Sequence, residues 1–220
     1  MPRSPVVRCG PLNALRPLLL ALALLPVASP EAQGQVVRGG IKGGYNSSNV
    51  SLRLDDEKVD TKSKGGFHVG GLIYLGTPTW GIQVEGLYTE KGFKRDPESQ
   101  IPFDEEWRFK YWEFPLLLLA QTPMAVTSPR VFFGPTFSLQ TSCKWILFAD
   151  LDDRDGVEVE CPDGAVKTTD IGFLAGIGIQ ATSLTIDISY EWGFKDLAVS
   201  EAIGLKNRNL MFSVGLTFPN

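Results

Sequence analysis

Alternation of apolar and non-apolar residues with a period of two, sustained over ten to fifteen residues and repeated eight times, is the feature that most restricts this chain. In Leu184–Lys195 one set is Leu184, Ile186, Ile188, Tyr190, Trp192 and Phe194, and the other is Thr185, Asp187, Ser189, Glu191, Gly193 and Lys195. Successive side chains of a strand point to opposite faces, so this run predicts a strand with one apolar and one polar face. The signal recurs near Val37–Val50, Gly65–Gly76, Trp80–Lys94, Trp107–Gln121, Arg130–Ser142, Thr168–Gln180 and Asn207–Phe218. A strand of a globular protein usually has about five or six residues. A tilted strand that crosses a bilayer needs about 9–11, and these segments have that length.

The connections alternate in length. Thr77–Thr79, Thr122–Pro129 and Ala181–Ser183 are compact, whereas Ser51–Lys64, Arg95–Glu106, Cys143–Lys167 and Asp196–Lys206 are longer and polar. Short turns at one end and long loops at the other predict an up-and-down antiparallel meander. Closing its eight strands into a barrel removes both sheet edges. The fold class expected is therefore all-β, an eight-stranded antiparallel transmembrane barrel with short periplasmic turns and longer extracellular loops.

The composition of the two faces says which one meets lipid. Ile171, Phe173, Ala175, Ile177 and Ile179 oppose Gly172, Leu174, Gly176, Gly178 and Gln180, and Leu210, Phe212, Val214, Leu216 and Phe218 oppose Met211, Ser213, Gly215 and Thr217. A soluble barrel with an apolar interior would need a densely charged exterior, yet the polar face here is rich in glycine. A narrow barrel filled by its own side chains does need small residues inside. The polar face also carries Lys42, Glu85, Lys91, Glu113, Asp187, Glu191 and Lys195. Buried charges persist only when paired, so a mixed-charge network that plugs the lumen is expected. Trp80, Tyr88, Trp112, Tyr190, Trp192, Phe194, Phe212 and Phe218 fall on the lipid side or at its interfaces, where membrane barrels place aromatic girdles. Trp107 is assigned to the same girdle.

Residues 1–34 form a separate object. Arg3, Arg8 and Arg16 flank the apolar run Leu18–Leu25, and small residues Ala32 and Gly34 follow. That is the layout of a signal peptide cleaved after Gly34, leaving residues 35–220 as the barrel domain. Cys9 is lost with it, so the exported chain retains Cys143 and Cys161, expected to form a disulfide outside the cytoplasm. Net charge of -4 and the absence of basic clusters exclude a nucleic-acid partner. The single histidine, His68, sits on the inward face as an interior polar residue, and no pattern indicates a catalytic group, cofactor or metal. The acidic stretch Asp150–Gly156 lacks the ligand spacing and helices of a calcium loop.

The motifs Gly40–Asn49 (GIKGGYNSSN), Gly86–Gly92 (GLYTEKG), Tyr111–Leu118 (YWEFPLLL), Phe133–Pro135 (FGP) and Phe212–Phe218 (FSVGLTF) occur in this order along the chain. In that order they resemble the PorT-like outer-membrane β-barrel family. The resemblance implies an integral, non-enzymatic outer-membrane barrel of bacteria, placed in lipid by the barrel-assembly machinery. A monomer is expected, with contacts to an extracellular or periplasmic partner made by the long loops, because function concentrates in loops held by a rigid scaffold. Here Phe218 is followed by Pro219 and Asn220, so the terminal aromatic is not the last residue. No role in secretion is carried over. Two other readings stay open: a porin-like barrel that passes or binds a small solute, and a soluble lipocalin-like carrier of an apolar ligand.

Overall fold

The computed structural model of the chain describes residues 34–54, 57–59, 61–95, 104–148, 157–161, 168–195 and 203–219. The expected export segment up to Gln33 and the acidic stretch Asp150–Gly156 lie outside the described residues. The described elements are strands: β1 Val36–Leu54, β2 Glu57–Val59, β3 Thr61–Gly76, β4 Trp80–Arg95, β5 Asp104–Gln121, β6 Ser128–Phe148, β7 Val157–Glu160, β8 Thr169–Ala181, β9 Leu184–Gly193 and β10 Ile203–Pro219. Eight of them pair antiparallel in the order β1-β3-β4-β5-β6-β8-β9-β10. The ring closes where β1 pairs β10 from Arg38↔Pro219 to Leu54↔Ile203. This is a closed eight-stranded antiparallel barrel, as the alternation predicts. The short strands β2 and β7 flank β1 and β6 at the long-loop end.

The start of β1, the end of β10 and the three short turns share one end of the barrel. At Thr77–Thr79 the Thr77 hydroxyl accepts from the amides of Thr79 at 3.3 Å and Trp80 at 3.2 Å, a side chain standing in for a backbone turn. Gln121 Nε2 donates 2.8 Å to Pro78 O and so ties two neighbouring turns together. Thr182 and Ser183 join β8 to β9, and Thr182 has φ 52°, a left-handed conformation that tight hairpins require and β-branched residues resist.

Outward-facing residues form a band of even height. It runs Val37–Tyr45, Phe67–Leu75, Trp80–Tyr88, Trp112–Ala120, Val131–Leu139, Ile171–Ile179, Leu184–Trp192 and Leu210–Phe218, nine residues on each of the eight strands. Within it every outward residue is apolar, aromatic, Gly or Pro. Nine residues at about 3.3 Å each, tilted by about 40°, give a band roughly 20 to 25 Å tall, the height of a bilayer's hydrocarbon layer across a barrel. Beyond Tyr88 and Trp112 the pattern inverts. Phe93, Phe109 and Tyr111 turn inward and are buried, while Lys94, Arg108 and Lys110 take the outer side. The physical reason is that the barrel wall there leaves lipid for water, so its apolar residues move to the interior.

Trp107 is corrected by this inversion. It is half-buried on the inner side, stacked on Phe93 at 5.9 Å and on Trp145 at 5.7 Å, and does not belong to the girdle. Of the girdle residues, Tyr88, Trp112, Tyr190 and Trp192 mark the upper edge of the band, with ring centroids 5.6 Å apart for Tyr88–Trp112 and 4.7 Å for Tyr190–Trp192. Phe194 lies just above them, Trp80 and Phe218 mark the lower edge, and Phe212 faces lipid between.

Candidate functional site

The lumen concentrates polar chemistry among the described residues, and each residue reaches it by strand parity. The lower cluster draws on four strands. Lys42 Nζ on β1 lies 3.0 Å from Glu85 Oε1 and 3.2 Å from Oε2 on β4, and 3.9 Å from Asp187 Oδ2 on β9. Arg130 on β6 grips Asp187 with both arms of its fork, Nε to Oδ1 at 2.8 Å and Nη2 to Oδ2 at 2.5 Å. Gln83 Nε2 donates to Glu85 Oε1 at 2.5 Å. Lys42 and Arg130 also lie 5.6 and 5.5 Å from the centre of the Phe132 ring, within cation–π range. Two cations face two anions, so the cluster is neutral.

The upper cluster is smaller and acidic. Lys91 Nζ donates to Glu191 Oε2 at 2.5 Å and also pairs with Glu113. The remaining carboxylate oxygens accept from hydroxyls: Glu113 Oε2 from Thr89 at 3.0 Å, Glu113 Oε1 from Ser138 at 3.4 Å and Glu191 Oε1 from Thr136 at 3.2 Å. Lys91, Glu113 and Glu191 are each no more than 2% exposed. Both clusters meet the condition for holding charge away from water, because every ion is paired and further hydrogen-bonded.

Between the clusters, His68 joins β1 to β10. Asn46 Nδ2 donates to the carbonyls of Phe67 and Glu90, each at 3.1 Å, so its Oδ1 can only accept. The His68 Nδ1–H therefore donates to Asn46 Oδ1 at 2.7 Å, and Nε2 accepts from the Ser213 hydroxyl at 2.8 Å. Hydroxyl, imidazole and amide stand in the order used by hydrolases with a Ser nucleophile. All three are at most 2% exposed, enclosed by the lumen walls.

Of the charges assigned to the network, Lys42, Glu85, Lys91, Glu113, Asp187 and Glu191 come together. Lys195 does not: it lies past the end of β9 and donates to Thr169 Oγ1 at 2.6 Å. Arg130 completes the network and was not singled out by the sequence reading. It follows Pro129 at a turn, where alternation has only begun, but the inward parity of Phe132 and Gly134 places it in the lumen.

Above the bilayer band a second set of charges forms a collar. Lys64 Nζ lies 2.8 Å from Glu90 Oε1 and 3.6 Å from Glu106 Oε1, Lys94 Nζ lies 3.4 Å from Glu106 Oε2, and Arg108 Nη2 lies 3.2 Å from Glu106 Oε1. Lys144 Nζ donates to Glu158 Oε2 on β7 at 2.8 Å. Burial pushes the Glu106 carboxyl up, but the Lys64 charge, the Arg108 hydrogen bond and Lys94 together outweigh it and hold it below its usual range. Glu158 is also held low, by its bond to Lys144. Cys143 on β6 and Cys161, just after β7, form a disulfide with Cα atoms 5.5 Å apart that clamps the β7 arm.

A closed barrel with a uniform lipid-facing band and a buried, ion-paired lumen is an integral β-barrel of an outer membrane. The chain belongs to the outer membrane protein beta-barrel domain family, which matches residues 31–199, and it resides in the bacterial outer membrane. No curated protein matches the chain. Among solved structures, it is similar to Ail, the attachment invasion locus protein of Yersinia pestis, at 19% identity and TM-score 0.43 over 82% of this chain and 98% of that one. It is similar to OprG from Pseudomonas aeruginosa at 12% identity and TM-score 0.44, over 84% of this chain and 97% of that one. Similarity to the outer membrane protease OmpT from Escherichia coli is 14%, with TM-score 0.41 over 84% of this chain and 97% of that one.

Proposed function

We propose that this protein is a non-enzymatic outer-membrane barrel with a plugged lumen, and that its contacts with the surroundings are made by the extracellular loops. The observation behind this reading is the pair of ion clusters, which occupy the lumen at two levels with every charged side chain at most 3% exposed. An eight-stranded barrel has an interior just wide enough for its own side chains. In this reading residues 1–34 are removed on export, the barrel-assembly machinery inserts residues 35–220, and the barrel works as a monomer because its whole outer band is matched to lipid. The ordered motifs from Gly40–Asn49 to Phe212–Phe218 favour a PorT-like branch within the family.

The test is electrical. The refolded protein in planar bilayers is expected to give no sustained conductance steps. Regular open steps would favour the porin-like reading.

The Ser213–His68–Asn46 row favours one second reading, an esterase acting on lipid. Its burial weighs against it, since a substrate carbonyl must reach the hydroxyl before any base can help. A fluorophosphonate probe is expected to leave Ser213 unlabelled in the folded protein. Labelling of Ser213 that is lost in His68→Ala would establish the enzyme.

A further inference from the structure

The outward cations above the bilayer band are not held alike on all sides of the barrel. On the β3–β7 side Lys94, Arg108 and Lys144 are taken up by Glu90, Glu106 and Glu158 at 2.8 to 3.5 Å, and the half-exposed Lys110 lies within the influence of Glu158. On the β9–β10 side Arg208 and Lys206 are exposed and point outward, and neither has an acidic partner among the described residues. Arg208 sits in register with Trp192, and Trp192 packs against Tyr190 at 4.7 Å, at the upper edge of the apolar band. Lys206 follows two residues higher on the same face, about 7 Å along the strand. Below them Ile186, Ile188, Phe212 and Val214 present an unbroken apolar wall that is 45% to 52% exposed.

We propose that this face binds an anionic, phosphate-bearing lipid of the outer leaflet. Its acyl chains lie along β9 and β10, and its phosphate is held by Arg208 and Lys206. The planar guanidinium offers two parallel donors to phosphate oxygens, and the lysine adds a point charge beside it. Trp192 and Tyr190 fix the depth, since amphipathic rings sit at headgroup level. The position decides for a lipid over a soluble anion: the cations stand directly on the apolar wall, so one molecule must satisfy both. The proposal rests on the outer-membrane reading, because it needs the long-loop end of the barrel to face the outer leaflet.

Full-length protein refolded into phosphatidylcholine nanodiscs doped with bisphosphorylated lipid A, or with its dephosphorylated form, tests this by native mass spectrometry of the lipid retained after release from the disc. Two basic residues near a lipid surface predict a preference for the phosphorylated form on the order of thirtyfold. The preference should fall to parity in the double variant Arg208→Ser/Lys206→Ser and persist in Lys94→Ser/Lys144→Ser. Equal retention of both lipids by the native protein overturns the proposal, as does a preference that survives the Arg208→Ser/Lys206→Ser change. Heat-modifiable gel mobility of the same samples reports insertion separately. Its absence in the native protein would undo the outer-membrane reading itself.

Discussion

Glu113 shows how a single side chain can matter beyond its own pair. Its carboxylate accepts from Lys91, Thr89 and Ser138, three residues on two other strands. Glu113→Ala leaves the Lys91 ammonium with Glu191 alone and strands two hydroxyls. Breaking a buried pair in this way costs about 3 kcal/mol, so the temperature at which the folded gel band disappears should fall clearly. Glu113→Gln keeps the acceptor oxygen and should fall less. Thr182 gives the opposite case. A β-branched residue at φ 52° is strained, and Thr182→Gly should stabilise the barrel by roughly 0.5–1 kcal/mol, read from the urea unfolding midpoint. Neither effect is visible in sequence: Thr182 was recognised as a turn residue, but its left-handed conformation is set by closing a two-residue hairpin.

At the level of the strand, the alternation was legible because both faces of each segment sit in constant surroundings for nine residues. Leu184–Trp192 is the plainest instance. Ile188→Lys puts a charge in the middle of the lipid face and should cost about 2–4 kcal/mol. Ser189→Lys points into a lumen that already holds Asp187 and Glu191. Folding yield into lipid should therefore drop far more for Ile188→Lys, and equal yields would reverse the assignment of faces. The upper ends of β1, β4, β5 and β6 were less legible. There the outside meets water, the apolar residues swap faces, and a reading that equates apolar with outward misplaces Trp107. The arms β2 and β7 are three and four residues long and too short to show a period. Lys195 was drawn into the network by extending the period past Gly193, where the strand has ended.

The collar above the bilayer gives a pH dependence of its own. Glu106 has a folded pKa below its unfolded one. Its contribution is thus fully present above the ordinary carboxylate value near 4.3 and is lost as pH falls through the depressed folded value. Protease sensitivity of the β4–β5 rim should rise below about pH 4 while the membrane-embedded part of the strands stays protected. Glu106→Gln should remove most of that acid-dependent change.

For the whole molecule, the disulfide and the seam act at different places. Cys143–Cys161 spans 18 residues and holds only the β7 arm. The double variant Cys143→Ser/Cys161→Ser should keep the barrel's heat-modifiable mobility while β7 becomes open to proteolysis. Gross architecture and localisation were available from the sequence because they follow from repetition. The partners inside the lumen were not, because Arg130 with Asp187 and Lys91 with Glu191 are 57 and 100 residues apart and meet only once the strands carrying them are assembled in register.

The β1–β10 seam joins the first of the described strands with the last. No other pairing in the barrel can compensate for its absence, since each remaining strand already has both neighbours. Until Ile203–Pro219 has been delivered, β1 presents an open ladder along its full length, and so does whichever strand came most recently. The sheet can grow from either side of a hairpin, but its ring closes in one event that depends on Ile203–Pro219. A chain that stalls short of Ile203 is therefore a curled sheet with two sticky margins, each offering its hydrogen bonds to any other unfinished copy nearby.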